Sequence, residues 1–308
     1  MNETRAEESE RDRTPPEQAL ALAERRRQAG QLLSAEDLCQ QVLRLNPEHA
    51  GALHMLGIIA HGVGNSAAGI ALIKRAIASD GKVPLYHSNL AEMCRQSGRL
   101  EEALAAGRRA VELQPDYAQA WNNLGVVHYD RSEFDQAEKC YREAIRRDPE
   151  LAQGHGNLGN ALRAEGKLEE AVAAYGDAIR LDPSAISGYQ NLGTALRDQN
   201  RSAEAETAYR TGLALRPHDA VLLNHLALAV LDQERRADAV AILSRSAALD
   251  PENGRTYVFL ASALFELDRL DEAKEAYEHA VALVPDDSDL IRLGHRLDAR
   301  LRRALSEC

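Results

Sequence analysis

The sequence predicts an all-α fold, a right-handed α-solenoid (superhelix) of helix–turn–helix units with a C-terminal capping helix. Three observations predict it. Seven of the ten prolines, Pro47, Pro115, Pro149, Pro183, Pro217, Pro251 and Pro285, lie on one lattice of 34 residues, with Gly81 in the vacancy. Within that lattice one position is always Leu and the next always Gly or Ala. Aromatic residues are 4% of the chain, while Ala and Leu dominate a hydrophobic fraction of 44%, a balance that suits closely packed helices rather than an aromatic-rich β core. Proline has no backbone N–H and pushes the preceding residue out of the α region, so each lattice proline marks a helix end.

Residues 1–15 hold eight charged side chains and almost nothing apolar, and are expected to be a disordered tail. With the lattice proline as position 32, eight units follow: 16–49, 50–83, 84–117, 118–151, 152–185, 186–219, 220–253 and 254–287. Position 7 reads Leu22, Leu56, Leu90, Leu124, Leu158, Leu192, Leu226 and Leu260. Position 8 is always Gly or Ala, as is position 20, where two helix backbones must approach closely. Position 24 is a larger plug, with Tyr141, Tyr175, Tyr209 and Tyr277 in four units. Positions 4, 7, 8 and 11 form one helical stripe and 20, 24 and 27 another. The turn sits near position 15, at Gly30, Gly64, Gly98, Gly166 and Asn200, residues that suit a helix C-terminus. A helix pair cannot bury such stripes alone, so neighbours stack and the first helices line a concave groove. Residues 288–308 form one amphipathic helix with Leu290, Leu293, Leu297, Leu301 and Leu305 on one face and Arg292, Arg296, Arg300, Arg302 and Arg303 elsewhere, the expected cap.

Composition excludes several functions. Lys and Arg total 37 against 48 Asp and Glu, a net charge of −11, which repels a phosphate backbone and argues against nucleic acid. No stretch approaches the roughly 18 apolar residues of a membrane span, and the first residues lack an apolar signal core. The expectation is a cytoplasmic chain without a membrane partner. Cys39, Cys94, Cys140 and Cys308 form no C-x-x-C pair and read as reduced thiols, with Cys308 exposed. Gly62-Val63-Gly64 falls at an inter-helix turn rather than after a strand, and no G-x-S-x-G or H-E-x-x-H motif occurs. His54, His61 and His87 are the only set that could meet a metal or act as a base, and no carboxylate or Cys completes a shell at a recognisable spacing. No catalytic residue, metal or cofactor is expected.

The 34-residue period with Leu at position 7, small residues at 8 and 20 and Pro at 32 resembles the tetratricopeptide repeat over about residues 16–287. Position 6 adds Asn89, Asn123, Asn157 and Asn191 in the four central units. Asn is a mediocre helix former, so four in phase need a reason. One reading is that the amides bond a neighbouring helix or face water. The other is that each carboxamide matches the N–H and C=O of a peptide bond and holds an extended partner polypeptide by its backbone. With first helices about 10 Å apart and an extended peptide advancing about 3.3 Å per residue, one Asn meets about every third ligand residue.

Trp121-Asn122-Asn123-Leu124-Gly125, Gly156-Asn157-Leu158-Gly159 and Gln190-Asn191-Leu192-Gly193 resemble the repeat arm of protein O-GlcNAc transferases. That resemblance implies an asparagine ladder for extended polypeptides at Asn89, Asn123, Asn157 and Asn191. The other units carry Ala21, Met55, His225 and Phe259 there, and with 21 residues after the last repeat that family's catalytic region is not expected in this chain. The expected function is a non-catalytic protein-binding scaffold. The alternative is a substrate-targeting arm of a separately encoded O-GlcNAc-transferase-like glycosyltransferase. Other predicted groove residues include Ser88, Glu92, Arg95, Gln119, Asn122, Asp130, Asn160, Arg163, Gln190, Arg197, Asp198 and Asn224. Gln119, Arg163 and Arg197 are expected to meet ligand side chains. Neither charge sign dominates, which disfavours a clamp for an acidic C-terminal tail.

Overall fold

The computed structural model describes residues 15–306. The tail expected at residues 1–15 therefore lies, but for Pro15, outside the described residues, as do Cys308 and the side chains of Leu301, Arg303 and Leu305. Among the described residues there are seventeen α-helices and no strand, an all-α solenoid of packed helix pairs. They form two compact units, one ending at Ala161 and the other beginning at Leu162.

The first unit contains α1 (Pro16–Gln28), α2 (Leu32–Leu45), α3 (Ala50–Gly62), α4 (Ser66–Ser79), α5 (Pro84–Gln96), α6 (Leu100–Leu113), α7 (Ala118–Asp130) and α8 (Phe134–Arg147), and the division falls within α9 (Ala152–Ala164). The second contains α10 (Leu168–Leu181), α11 (Ile186–Asp198), α12 (Ser202–Leu215), α13 (Ala220–Leu231), α14 (Arg236–Leu249), α15 (Gly254–Glu266), α16 (Leu270–Leu283) and α17 (Ser288–Ser306).

The sequence lattice explains these boundaries. First helices occupy positions 1–13 of the repeat, one residue shorter in α13, and second helices occupy positions 17–30. Position 15 is left-handed in every repeat: Gly30, Gly64, Gly98 and Gly166 at φ 72–88°, and Ser132, Asn200, Glu234 and Asp268 at 59–60°. The reversal lets the next amide donate to a carbonyl five residues back, as Arg99 does to Cys94 and Arg235 to Val230, a Schellman-type closure. Second helices end on an extended residue, such as Asp148 at φ −135°, immediately before the lattice proline.

Small residues at position 8 are demanded by the plugs at position 24. A Cβ on Gly57 would lie 2.6 Å from the Ile73 side chain, on Gly125 2.6 Å from Tyr141, and on Gly193 2.5 Å from Tyr209. Position 4 has a common role that its varied chemistry hides. Trp121 Nε1 donates to the Pro115 carbonyl at 2.9 Å and Tyr189 Oη to that of Pro183 at 3.1 Å. His87 Nε2 sits 3.0 Å from the Gly81 carbonyl and His155 Nε2 3.0 Å from that of Pro149. Each ring donor satisfies the carbonyl at position 32, where the chain reverses. In α17, Leu290, Leu293 and Leu297 are buried, the last two within the cluster of Leu260, Leu264 and Ala276. Cys39, Cys94 and Cys140 are buried free thiols, and burial pushes Cys39 and Cys140 up to about 12.

Candidate functional site on the first helices

The asparagines of position 6 are half-buried, and a hydrogen bond to the preceding repeat fixes Asn89, Asn123 and Asn157. In the first unit Asn89 Nδ2 lies 2.8 Å from His54 Nε2. The His54 ring is buried, tilted against Tyr86 at 4.5 Å, and burial lowers its pKa to about 4. It is therefore neutral at pH 7, and its Nε2 accepts from the amide. Asn123 Nδ2 donates to Ser88 Oγ at 3.0 Å, and Asn157 Nδ2 donates to Asn122 Oδ1 at 3.0 Å. Gln119 Nε2 in turn donates to Asn123 Oδ1 at 2.9 Å.

The acceptor is always the position 5 residue of the preceding repeat, 35 residues earlier, and His54, Ser88 and Asn122 are only 6%, 1% and 0% exposed. A buried row thus anchors a half-exposed one. The Asn122 Nδ2 group is buried without a hydrogen-bond partner among the described residues. In the second unit the same two positions bring Gln190 Nε2 within 3.3 Å of His225 Nε2, and Asn224 Nδ2 donates to Thr256 Oγ1 at 2.7 Å. Burial lowers the His225 pKa, and its ring stacks on Tyr209 at 5.7 Å. Asn191 and Asn160 are half-buried on α11 and α9.

A second row follows along positions 12 and 13. Within the first unit His61 Nε2 lies 3.0 Å from Gln96 Oε1, and Arg95 pairs with Asp130 at 2.7 Å. Arg95 also forks onto Glu92 at 2.9 and 2.8 Å, and these bonds hold the Glu92 carboxyl below its ordinary range. In the second unit Arg163 pairs with Asp198 and Arg197 with Asp232, both at 2.7 Å. Arg163, Arg197 and Gln119, expected to meet ligand side chains, therefore each contact a neighbouring side chain of this chain. The signal was present in sequence as an Arg followed 35 residues later by an Asp. The three candidate histidines do not converge: His54 meets Asn89, His87 meets the Gly81 carbonyl, and His61 meets Ser66 and Gln96. Among the described residues no group of three His, Cys, Asp or Glu side chains could hold a metal, and no helix is long and apolar enough to cross a membrane. The surface offers carboxamides that donate and accept hydrogen bonds and do not ionise near neutrality.

Stacked helix pairs of this period and packing define a tetratricopeptide-repeat protein, a class that mediates protein–protein interaction. A tetratricopeptide-repeat model matches residues 20–84. The family described as the cilia and flagella-associated protein 70 C-terminal domain matches residues 64–291, about three quarters of the chain, and the chain belongs to that family. The TPR repeat-containing thioredoxin TTL4 of Arabidopsis thaliana is 39% identical over 72 residues, which are 23% of this chain and 11% of that protein's length. Among solved structures, Pseudomonas aeruginosa PilF is 21% identical with a TM-score of 0.60, covering 69% of this chain and 97% of PilF. A chain of the APC/C hetero-tetramer Cut9–Hcn1 is 14% identical with a TM-score of 0.61, covering 86% of this chain and 52% of that one. YrrB, described as a TPR protein with an unusual peptide-binding site, is 17% identical with a TM-score of 0.52, covering 62% of this chain and 98% of YrrB.

Proposed function

We propose that the chain is a non-catalytic scaffold that holds extended partner polypeptide by its backbone, the first unit through Asn89, Asn123 and Asn157 and the second, taken by itself, through Asn191. One observation carries this reading. In the first unit each amide spends one N–H on a buried acceptor of the preceding repeat, which fixes its orientation, while its side chain stays half-exposed. A carboxamide has a second N–H and two carbonyl lone pairs, so an amide pinned in this way is pre-organised for a peptide bond. The description of YrrB as peptide-binding agrees with such a use of the fold.

The same reading makes the chain a cytoplasmic protein with reduced thiols, whose net charge of −11 keeps nucleic acid from being its ligand. The transferase-arm alternative rests on the Asn-Leu-Gly motifs, and stable co-purification of a glycosyltransferase would favour it. Backbone recognition is tested with unstructured peptides N-methylated at successive positions. Methylation at about every third residue should abolish binding while side-chain changes at the same residues should not; the reverse pattern contradicts the ladder.

A further inference from the structure

Phe259 replaces the amide at position 6 of the last repeat, and a cavity of about 460 Å³ opens there between α15 and α17. Its lining is unlike the rest of that face. Val258 and Leu293, each 4% exposed, make an apolar floor with Phe259, and Ser262, Asp289, Arg292 and Arg296 make the rim. The Arg255 guanidinium stands over the Phe259 ring at 5.7 Å and that of Arg296 over Phe265 at 4.7 Å.

We infer that this cavity is a second binding site, for an acidic stretch of partner polypeptide that inserts an apolar side chain. The volume suits one large side chain with its flanking backbone. The apolar floor would take that side chain, and the arginines, planar forks suited to carboxylates, would take acidic residues on either side of it. Charge complementarity selects the acidic partner, because Arg292 and Arg296 on the rim and Arg255 beside the Phe259 ring outnumber Asp289 and Glu266 here, in a chain whose net charge is −11. Their present partners are exchangeable. Arg292 pairs with Asp289 of the same helix, the two side chains 73% and 57% exposed, and Arg296 pairs with Glu266 at 2.7 Å, 56% and 40% exposed. Exposed pairs of this kind contribute little, so a ligand carboxylate can exchange with them. The site reads side chains and stands independently of the asparagine ladder.

The test is fluorescence anisotropy of the full chain with a labelled peptide carrying a Leu-Phe centre flanked by aspartates, beside one with asparagines for the aspartates and one with serines for the Leu-Phe. The acidic–apolar peptide should bind, and both controls should bind at least about tenfold more weakly. Arg292→Glu with Arg296→Glu should weaken it by a similar factor, and Ser262→Trp, which fills the cavity without touching a charge, should do the same. The ladder variant with alanine at Asn89, Asn123, Asn157 and Asn191 should keep the preference, binding the acidic–apolar peptide at least about tenfold more tightly than either control. If the double charge reversal fails to fold, the Ser262→Trp result decides. No binding by the wild-type chain at millimolar peptide, equal affinity for the asparagine control, or undiminished binding by folded Ser262→Trp would overturn the proposal.

Discussion

Lowering the pH from 7 to 4.5 should loosen the first unit through a single ring, that of His54. Burial of the ring takes its pKa from 6.5 to about 4, with Glu24 opposing the fall and Arg27 adding to it. Below pH 6.5 the unfolded chain binds a proton that the folded ring refuses, so stability falls as the pH drops from 6.5 to 4 and does not recover below. At about 1.4 kcal/mol per pH unit, the interval from 6.5 to about 4 is worth about 3 kcal/mol, most of it lost by pH 4.5. Carboxylates whose pKa is lowered, such as Glu24 and Glu92, give up their contribution only as the pH falls below their unfolded value of 4.5, so the two windows separate. Protonation also removes the acceptor for Asn89. Solenoids open locally, so the assay is hydrogen exchange over α3 and α5, with thermal melting beside it, at pH 7 and pH 4.5. The control is His54→Asn, because Asn122 holds the same repeat position and accepts the same bond. The wild type should lose about 2 kcal/mol more than the variant between pH 7 and pH 4.5; equal losses would refute the argument.

Three further predictions follow from packing. Glu234→Gly should raise stability by about 0.5–1 kcal/mol, since Glu234 sits at φ 60° where a side chain is strained and glycine is not; chemical denaturation checks it. Gly125→Ala should cost about 1–3 kcal/mol, because its Cβ would lie 2.6 Å from Tyr141, and adding Tyr141→Leu should recover part of the loss in a double-mutant cycle. Deleting residues 288–308 should lower both melting temperature and solubility, as it uncovers the apolar surface now packed on Leu293 and Leu297; no change would remove the cap assignment.

Helix positions were legible because proline, leucine and small-residue constraints are local and recur in phase. The turns were legible where glycine or, at Asn200, asparagine marks them. Ser132, Glu234 and Asp268 adopt the same left-handed geometry against their own preference, because flanking helix packing fixes the reversal. The asparagine row was visible as a pattern, but not the bonds that anchor it, since His54, Ser88 and Asn122 share an acceptor role and no chemistry. For the same reason Arg163 and Arg197 read as groove cations until Asp198 and Asp232 were placed beside them.

The central claim is that the position 6 amides hold peptide backbone, and the direct measurement is the affinity of several unrelated extended peptides for the wild type and for the variant with Asn89, Asn123, Asn157 and Asn191 changed to Ala. Each amide-to-backbone bond should contribute about 0.5–1.5 kcal/mol. Asn89, Asn123 and Asn157 also hold an inter-repeat bond, so the variant should melt somewhat lower, and circular dichroism must show it folded at the assay temperature. The account predicts that all peptides lose binding together, nearly independently of their sequence. A folded variant that binds them undiminished would show that the amides serve only to join one repeat to the next, and would contradict the claim.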